Sequence, residues 1–323
     1  GLWSGISPVT EAFAYKDQHY VVPYSMSDPL VLTYSRKIMA DNGFEDPYKL
    51  YTEGKWDWDT FMTMMEKFVS EPSPDWTPKY GIGGSFGHGV IPSAGKTVVS
   101  CENGSLVNNI MSPEIQKAQE FMNSISTKNL YRRDIMSCYP TNGCTLFLAD
   151  NGWSLGQSNA SNPDKDIMIV PFPKSKENPS YCFCGSYNAR MLVKNSRKCE
   201  AVATYIKCER LAASDQKCLE SAKKQALQEV KTASGIVRSS MTEEQYNALT
   251  SFCDPSKFIP AVEFGYGLGD GMNTMGTYTY ETRGVMNNLE LKMLEVNPED
   301  FKWEGMRDSC KAVIEKALSE YNK

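Results

Sequence analysis

Histidine is nearly missing from this 323-residue chain, which has only His19 and His88. Two imidazoles cannot build a histidine-rich metal centre, and a nucleophile that needs a histidine base has few candidates. Ten cysteines are present, yet no Cys-x-x-Cys spacing occurs, so zinc-ribbon and thioredoxin-type sites lack their basic unit. Positive charge is also short. Lys and Arg number 34 against 39 Asp and Glu, a net charge of -5, whereas a dedicated nucleic-acid binder needs a basic face. No apolar run approaches the roughly 18 residues that suggest a membrane span. The chain begins Gly-Leu-Trp, without a methionine, basic n-region or apolar h-region. The expectation is that any export signal has been removed or never existed.

Familiar ligand motifs occur only in pieces. Gly95-Lys96-Thr97 resembles the end of a phosphate loop, but residue 90 is Val90 where the first glycine is required. Gly89 stands one place too early, which would misplace the amides that cradle phosphate. Gly265, Gly267, Gly269 and Gly271 alternate without the strand–turn–helix setting of a dinucleotide site. They read instead as a loop approached closely by backbone or ligand. No EF-hand pattern is present, and neither a metal nor a cofactor is implied. Carboxylates are plentiful, but one sequence does not single out an acid–base pair.

The composition is 41% hydrophobic and 23% charged, ordinary for a folded protein, and the length suits about two domains. Most cysteines read as small buried hydrophobes. Cys182 and Cys184 would share one face of a strand, where a disulfide between them would be strained.

Residues 19–34 predict two short strands around Pro23 and Pro29, followed by a short helix over 35–42 that stops at Gly43. Asp57 suits a helix cap. Trp58, Phe61, Met62, Met65, Phe68 and Val69 then recur at helical spacing, so Trp58 anchors a helix to a core and Trp56 reads as packing as well. Residues 80–100 read as loop and short strand, and 112–130 as a helix. Residues 144–150 read as a short helix, and 167–170 and 191–193 as strands. Further helices are expected over 197–213, 215–230, 242–251, 281–295 and 303–321, with a glycine- and tyrosine-rich loop over 264–280. Helices alternating with short strands indicate an α/β architecture.

Several stretches in this order resemble the extracellular solute-binding proteins of bacterial ABC importers, in the sugar-binding branch that includes maltose-binding protein. Tyr20-Val21-Val22-Pro23-Tyr24, then Leu32-Thr33-Tyr34-Ser35-Arg36-Lys37, is similar to the family's Y-x-V-P and L-x-Y-N-K segments. Gly43-Phe44-Glu45-Asp46-Pro47 and Lys55-Trp56-Asp57-Trp58-Asp59-Thr60-Phe61 resemble its G-L-x-x-P and T-W-D-E-F stretch. Phe147-Leu148-Ala149-Asp150-Asn151-Gly152-Trp153 looks like its F-x-x-G to G-x-W region, and Val170-Pro171-Phe172-Pro173 like its x-P-F-P strand end. Val193-Lys194-Asn195-Ser196-Arg197 with Glu200-Ala201 resembles its K-N-A-K-N-P-E-A-A junction. Cys199 departs from that pattern, where proline is usual, and cysteine is frequent for the family. A strand-rich segment that family members carry before the equivalent of Trp3 has no counterpart.

The resemblance implies a two-lobed periplasmic-binding-protein-like (type II) α/β fold whose first lobe is incomplete. Residues 24–187 and 272–323 would form the second lobe, and residues 1–23 and 190–262 the remainder of the first. It implies no catalysis, cleft closure around a sugar, and delivery to ABC-transporter permease subunits. The protein would be extracellular or periplasmic, held to a membrane only through an N-terminal lipid anchor outside this chain.

A sugar presents flat C–H faces and a rim of hydroxyls. It calls for aromatic plates and planar polar side chains, and the chain has 17 Tyr and 6 Trp. Trp153 is the leading candidate by analogy with a cleft-facing aromatic, with a core role as its rival. Tyr24, Ser25 and Asp28 would lie on the first lobe crossing and Tyr187 and Asn188 on the second. Tyr266, Tyr278 and Arg283 would lie on the third and on the helix after it. For each of them a packing or surface role competes. The alternative reading is a glycoside hydrolase or other carbohydrate-active enzyme with paired carboxylates. A sensor passing its ligand to a membrane receptor is a further one.

Overall fold

The computed structural model describes residues 1–73, 77–132, 139–152, 155, 166–228, 230–231, 237–238, 241–269, 272, 284–286, 289 and 303–322. Helix α1 (Ser7–Ala12) precedes strands β1 (Val22–Ser27) and β2 (Leu30–Ser35). Between the strands Asp28 takes φ +50°, a turn conformation that aspartate tolerates better than most residues. Helices α2 (Arg36–Asp41), α3 (Pro47–Thr52) and α4 (Trp58–Ser70) follow. The Asp57 carboxylate accepts from the Thr60 N–H and caps α4, as its position predicts.

The two tryptophans before and within α4 are structural. Trp56 is fully buried and donates from Nε1 to the Pro171 carbonyl at 2.8 Å. Trp58 is buried too; it donates to Ser93 Oγ at 3.0 Å and stacks on Phe121. The buried stripe of α4 includes Met64, whereas Met62 and Val69 are only half-buried.

Strand β3 (Tyr80–Gly84) leads to helix α5 (Gly87–Ser93), in a stretch expected to be loop and short strand. Its glycines allow the helix to lie against a neighbour. A Cβ at Gly89 would stand 2.5 Å from the Phe172 ring. Strands β4 (Val99–Glu102) and β5 (Ser105–Asn108) form a hairpin on Asn103-Gly104, both at positive φ. Helix α6 (Pro113–Thr127) buries Ile115, Ala118, Met122 and Ile125, while Phe121 in the same periodic run is only half-buried. Strand β6 (Tyr131–Arg132) comes next.

Strand β7 (Thr145–Asn151) corrects the helix expected over 144–150. Its residues 145–149 are all buried, and an unbroken apolar run suits a strand covered on both faces. With β8 (Ile167–Pro171) it completes a five-stranded sheet in the order β6-β3-β7-β2-β8. Strand β3 runs parallel to β6 and β7, and β2 runs antiparallel to β7 and β8. Helix α4 packs on β3, and α3 packs on β8.

The remaining strands lie outside this sheet. They are β9 (Tyr181–Phe183), β10 (Ser186–Arg190), β11 (Val230–Lys231), β12 (Val237–Arg238) and β13 (Phe258–Pro260). Strand β10 pairs with β1, β11 with β12, and β13 with β9. The later helices are α7 (Cys199–Ala212), α8 (Gln216–Ala226), α9 (Glu243–Phe252) and α10 (Trp303–Tyr321). Helix α9 packs on β8, where Gln245 donates to the Ile167 carbonyl at 2.7 Å, and α10 packs on β5. The strand expected over 191–193 does not form. Strand β10 ends at Arg190, and Met191, Leu192 and Val193 run on exposed, with no neighbouring strand among the described residues to pair with. Most of 281–295 falls outside the described residues.

The cysteines divide by region. Cys144 and Cys310 are buried and Cys101, Cys182, Cys184 and Cys253 half-buried, while Cys199, Cys208 and Cys218 on α7 and α8 are exposed. The expectation of mostly buried thiols therefore fails on those two helices, which offer little core. Among the described residues no helix is long and apolar enough to cross a membrane.

Candidate functional site

Three connections meet beside the five-stranded sheet. The first is β1, paired antiparallel with β10 from Val22↔Arg190 to Ser27↔Ser186. The register slips between Pro23 and Ser25, leaving Tyr24 as the extra residue of a bulge. The second is the run through β9 and β10. The third is β13, parallel to β9, continued by the Ala261 N–H donating to the Phe183 carbonyl at 3.3 Å. Gly185 allows these chains to touch. A Cβ there would lie 2.6 Å from Phe183 and 2.9 Å from both the Asp28 carbonyl and Pro29 Cα.

A cleft of about 430 Å³ opens between these connections and the sheet unit. The sheet side supplies Leu30, Ser85, His88, Ile91 and Asn151. The other side supplies residues 184–187, 261–263 and Tyr266. One contact spans the two sides directly: Tyr266 Oη and His88 Nδ1 stand 2.6 Å apart. Asn151 Nδ2 donates to the Asp28 carbonyl at 3.1 Å, tying the end of β7 to the bend after β1.

Glu263 is the carboxylate of the cleft lining. Its oxygens accept from the Val98 N–H at 2.6 Å, the Val99 N–H at 2.9 Å and the Gly265 N–H at 2.9 Å. Three amides on one carboxylate hold the third connection to the start of β4. Tyr187 forms an aromatic wall between Phe13 and Phe183, with ring centroids at 5.4 and 5.2 Å. Burial pushes its phenol far above the ordinary tyrosine range, and the hydroxyl donates to the Phe183 carbonyl at 3.3 Å. Burial likewise raises the Cys184 thiol well above its usual value. The described lining therefore presents one carboxylate already engaged by three backbone N–H groups, with polar side chains and apolar surface around it.

The expected site residues separate into three groups. Tyr187 and Tyr266 line the cleft. Tyr24, Ser25, Asp28 and Asn188 lie on or beside the β1–β10 ladder. There Asn188 Nδ2 donates to Ser25 Oγ at 3.0 Å and Ser27 Oγ at 2.9 Å, and the Arg190 guanidinium sits 5.2 Å from the Tyr24 ring centroid. Trp153, Tyr278 and Arg283 lie outside the described residues. Sequence reasoning missed His88, Asn151 and Glu263. His88 had a signal in its rarity and its flanking Gly87 and Gly89. Asn151 follows directly on the helix expected over 144–150, an expectation that hides its place at the end of β7.

No family model matches the chain, and no curated protein matches it. Solved structures do. The fold is that of the two-lobed solute-binding proteins of ABC importers. The chain is similar to the cyclic alpha-maltosyl-1,6-maltose binding protein of Arthrobacter globiformis, with a TM-score of 0.63 at 12% identity, over 99% of this chain and 77% of that one. It is similar to the sugar-binding protein MalE of Xanthomonas citri, with a TM-score of 0.63 at 12% identity over 97% and 74%. It also resembles the GacH receptor of Streptomyces glaucescens, with a TM-score of 0.59 at 13% identity over 98% and 75%.

Proposed function

We propose that the chain is a non-catalytic solute-binding protein that captures a neutral polyhydroxylated solute, best fitted by an oligosaccharide, and delivers it to an ABC importer. The observation that carries this reading is the placing of the cleft. Its walls come from the sheet unit on one side and the three connections on the other. A solute touching both walls gains contacts only when they approach, so closure is a population shift driven by those contacts. Residues 24–187 and 272–323 form the second lobe in this reading, and residues 1–23 and 190–262 the remainder of the first. Helix α9 falls within the latter range but is anchored on β8. Trp153, Tyr278 and Arg283 remain candidates beside Tyr187 and Tyr266. The work is done outside the cytoplasm, in the periplasm or at the cell surface as a lipoprotein, with the permease subunits reading the closed form.

The neighbours support the solute class. By their names they bind a maltosyl-maltose ring, acarbose, a galactobiose or a blood-group trisaccharide. One was solved with glycerophosphocholine, so a polyol phosphodiester belongs among the solutes to be tried. The glycoside hydrolase reading is weaker because Glu263, the described carboxylate of the lining, already accepts three backbone N–H groups. Calorimetry with a panel of oligosaccharides and glycerophosphocholine, run beside an assay for reducing-sugar release, tests the proposal. Saturable heat without product is expected. Turnover of any sugar in the panel would overturn it.

A further inference from the structure

A second cavity lies at the back of the cleft. This pocket of about 230 Å³ shares Pro92, Ala261 and Val262 with the cleft, so those residues form a partition between the two. Its walls repeat the division seen in front. Residues 95–97 and 100–102 come from the chain that follows α5, and Ala12, Cys182 and Ile259 from α1 and the connections. Helix α1 packs on β13, whereas Glu263, beyond the partition, is held by the Val98 and Val99 amides. Beside this pocket two tight turns interlock. Tyr15 and Gln18 exchange backbone hydrogen bonds at 2.9 and 3.0 Å around Lys16 and Asp17, which take φ +49° and +58°. A left-handed conformation at two successive non-glycine residues carries strain that the surroundings must hold. Asn103-Gly104 is the facing turn. The Lys16 N–H donates to the Gly104 carbonyl at 3.1 Å, and a Cβ at Gly104 would stand 3.0 Å from Lys16 Cα. Cys101, which lines the back pocket, donates from Sγ to the Ala14 carbonyl at 3.1 Å. The Tyr15 hydroxyl donates to the Tyr321 carbonyl, and Asn322 ties that end of α10 to the Leu106 N–H and carbonyl at 3.1 and 2.9 Å.

We infer that these contacts form a clasp that resists closure of the cleft and sets how much of the solute-free protein is closed. The inference rests on the two-walled binding reading above. A rotation that brings two walls together on one side of a partition parts them on the other. The back pocket lies across residues 261–262 from the cleft, and the clasp joins its two walls. Each bond of the clasp must therefore stretch as the cleft shuts. Tyr266 and His88 touch while the clasp is whole, so the remaining approach of the walls is what it resists. Apparent affinity scales with the fraction of molecules in the binding-competent form, so a weakened clasp tightens binding without any change in the groups that touch the solute.

Tyr15→Phe removes the hydroxyl that meets the Tyr321 carbonyl, and Cys101→Ala removes the thiol that meets Ala14. Cys101→Ser keeps a donor in the same place. Neither residue lines the cleft. Two measurements read the effect: small-angle scattering of the unliganded protein, and calorimetry with acarbose and β-1,6-galactobiose as the probes. Tyr15→Phe and Cys101→Ala should each shrink the unliganded radius of gyration and lower the Kd several-fold. The double variant should go further, and Cys101→Ser should stay close to wild type. Unliganded radii unchanged in both single variants, or a raised Kd in either, would overturn the inference, because a contact that only packs the fold lowers the unfolding midpoint and nothing else. Failure of the solute reading looks different. Neither sugar would then give heat with wild type or any variant, while a radius that still falls in Tyr15→Phe and Cys101→Ala would leave the clasp standing.

Discussion

Glu263 illustrates how one side chain can fix a site without reacting in it. Its carboxylate satisfies the N–H groups of Val98 and Val99 on one element and of Gly265 on its own. Glu263→Gln turns one acceptor oxygen into an NH₂ group that faces an N–H donor. Hydrogen bonds to a charged group contribute about 1.5–3 kcal/mol each, so the variant should lose stability on that order in a urea titration. Its solute affinity should fall as well, because the third connection is no longer held against β4. Wild-type stability in Glu263→Gln would mean that the amides find other partners.

Arg36 plays the same part at the sheet edge. Its guanidinium donates twice to Glu244, at 2.8 and 2.6 Å, and once to Asp46 at 3.0 Å. The bond to Arg36 holds the Glu244 carboxyl below its ordinary value of 4.5. A depressed folded-state pKa stabilises fully above the unfolded value and is lost as pH falls through the folded one. Wild type should therefore lose more of its urea midpoint between about pH 5 and about pH 3 than Glu244→Gln does. Parallel pH profiles for the two would show that this pair contributes nothing to folding. Arg36→Lys should behave like a loss of the pair, because an ammonium cannot reproduce the fork.

At the scale of elements, sequence signals were clear where periodicity and capping agreed. Asp57 before the stripe of α4 produced the cap that its residue type predicts. The strands on either side of Pro29 were equally legible. Strand β7 was not, because a fully buried strand shows no alternation and its apolar run reads like a helix core. The β4–β5 hairpin carried a signal in Asn103-Gly104 that a glycine-rich neighbourhood obscured. The site itself was half legible. Tyr187 and Tyr266 carry their aromatic character in the sequence, whereas His88 and Glu263 meet the cleft only through tertiary contact. Gly185 belongs to this second kind, since its need for space is set by Asp28 and Pro29 in the turn between β1 and β2, far away in the chain. Gly185→Ala should push β1 from β10 and disturb both the ladder and the cleft. Faster amide exchange at Met26 and Ser27 and a weaker solute affinity are the expected readings. Unchanged exchange would show that the crossing can spread without cost.

For the whole molecule, the question is what solute binding does to the distance between the two walls. Tyr266 and His88 already touch across the cleft, so the form described here has its walls in contact at one point. A guest filling about 430 Å³ between them would add contacts along the rest of the opening. Moving such an equilibrium from mostly open to mostly closed takes about 5.5 kcal/mol of differential binding, which a bound oligosaccharide must supply through both walls together. Binding and compaction should then separate in variants that weaken one wall. In wild type, small-angle scattering should show a smaller radius of gyration once calorimetry reports saturation. Asn151→Ala removes a polar group of the sheet-side wall and its tie to the Asp28 carbonyl. It should raise the solute Kd and leave the saturated molecule less compact. Tyr266→Phe keeps the ring and removes the hydroxyl that meets His88, so it should change the unliganded radius more than the liganded one. A radius that stays constant through saturation in wild type would mean that the solute is held by one wall alone, and the closure mechanism would have to be given up even if binding itself were confirmed.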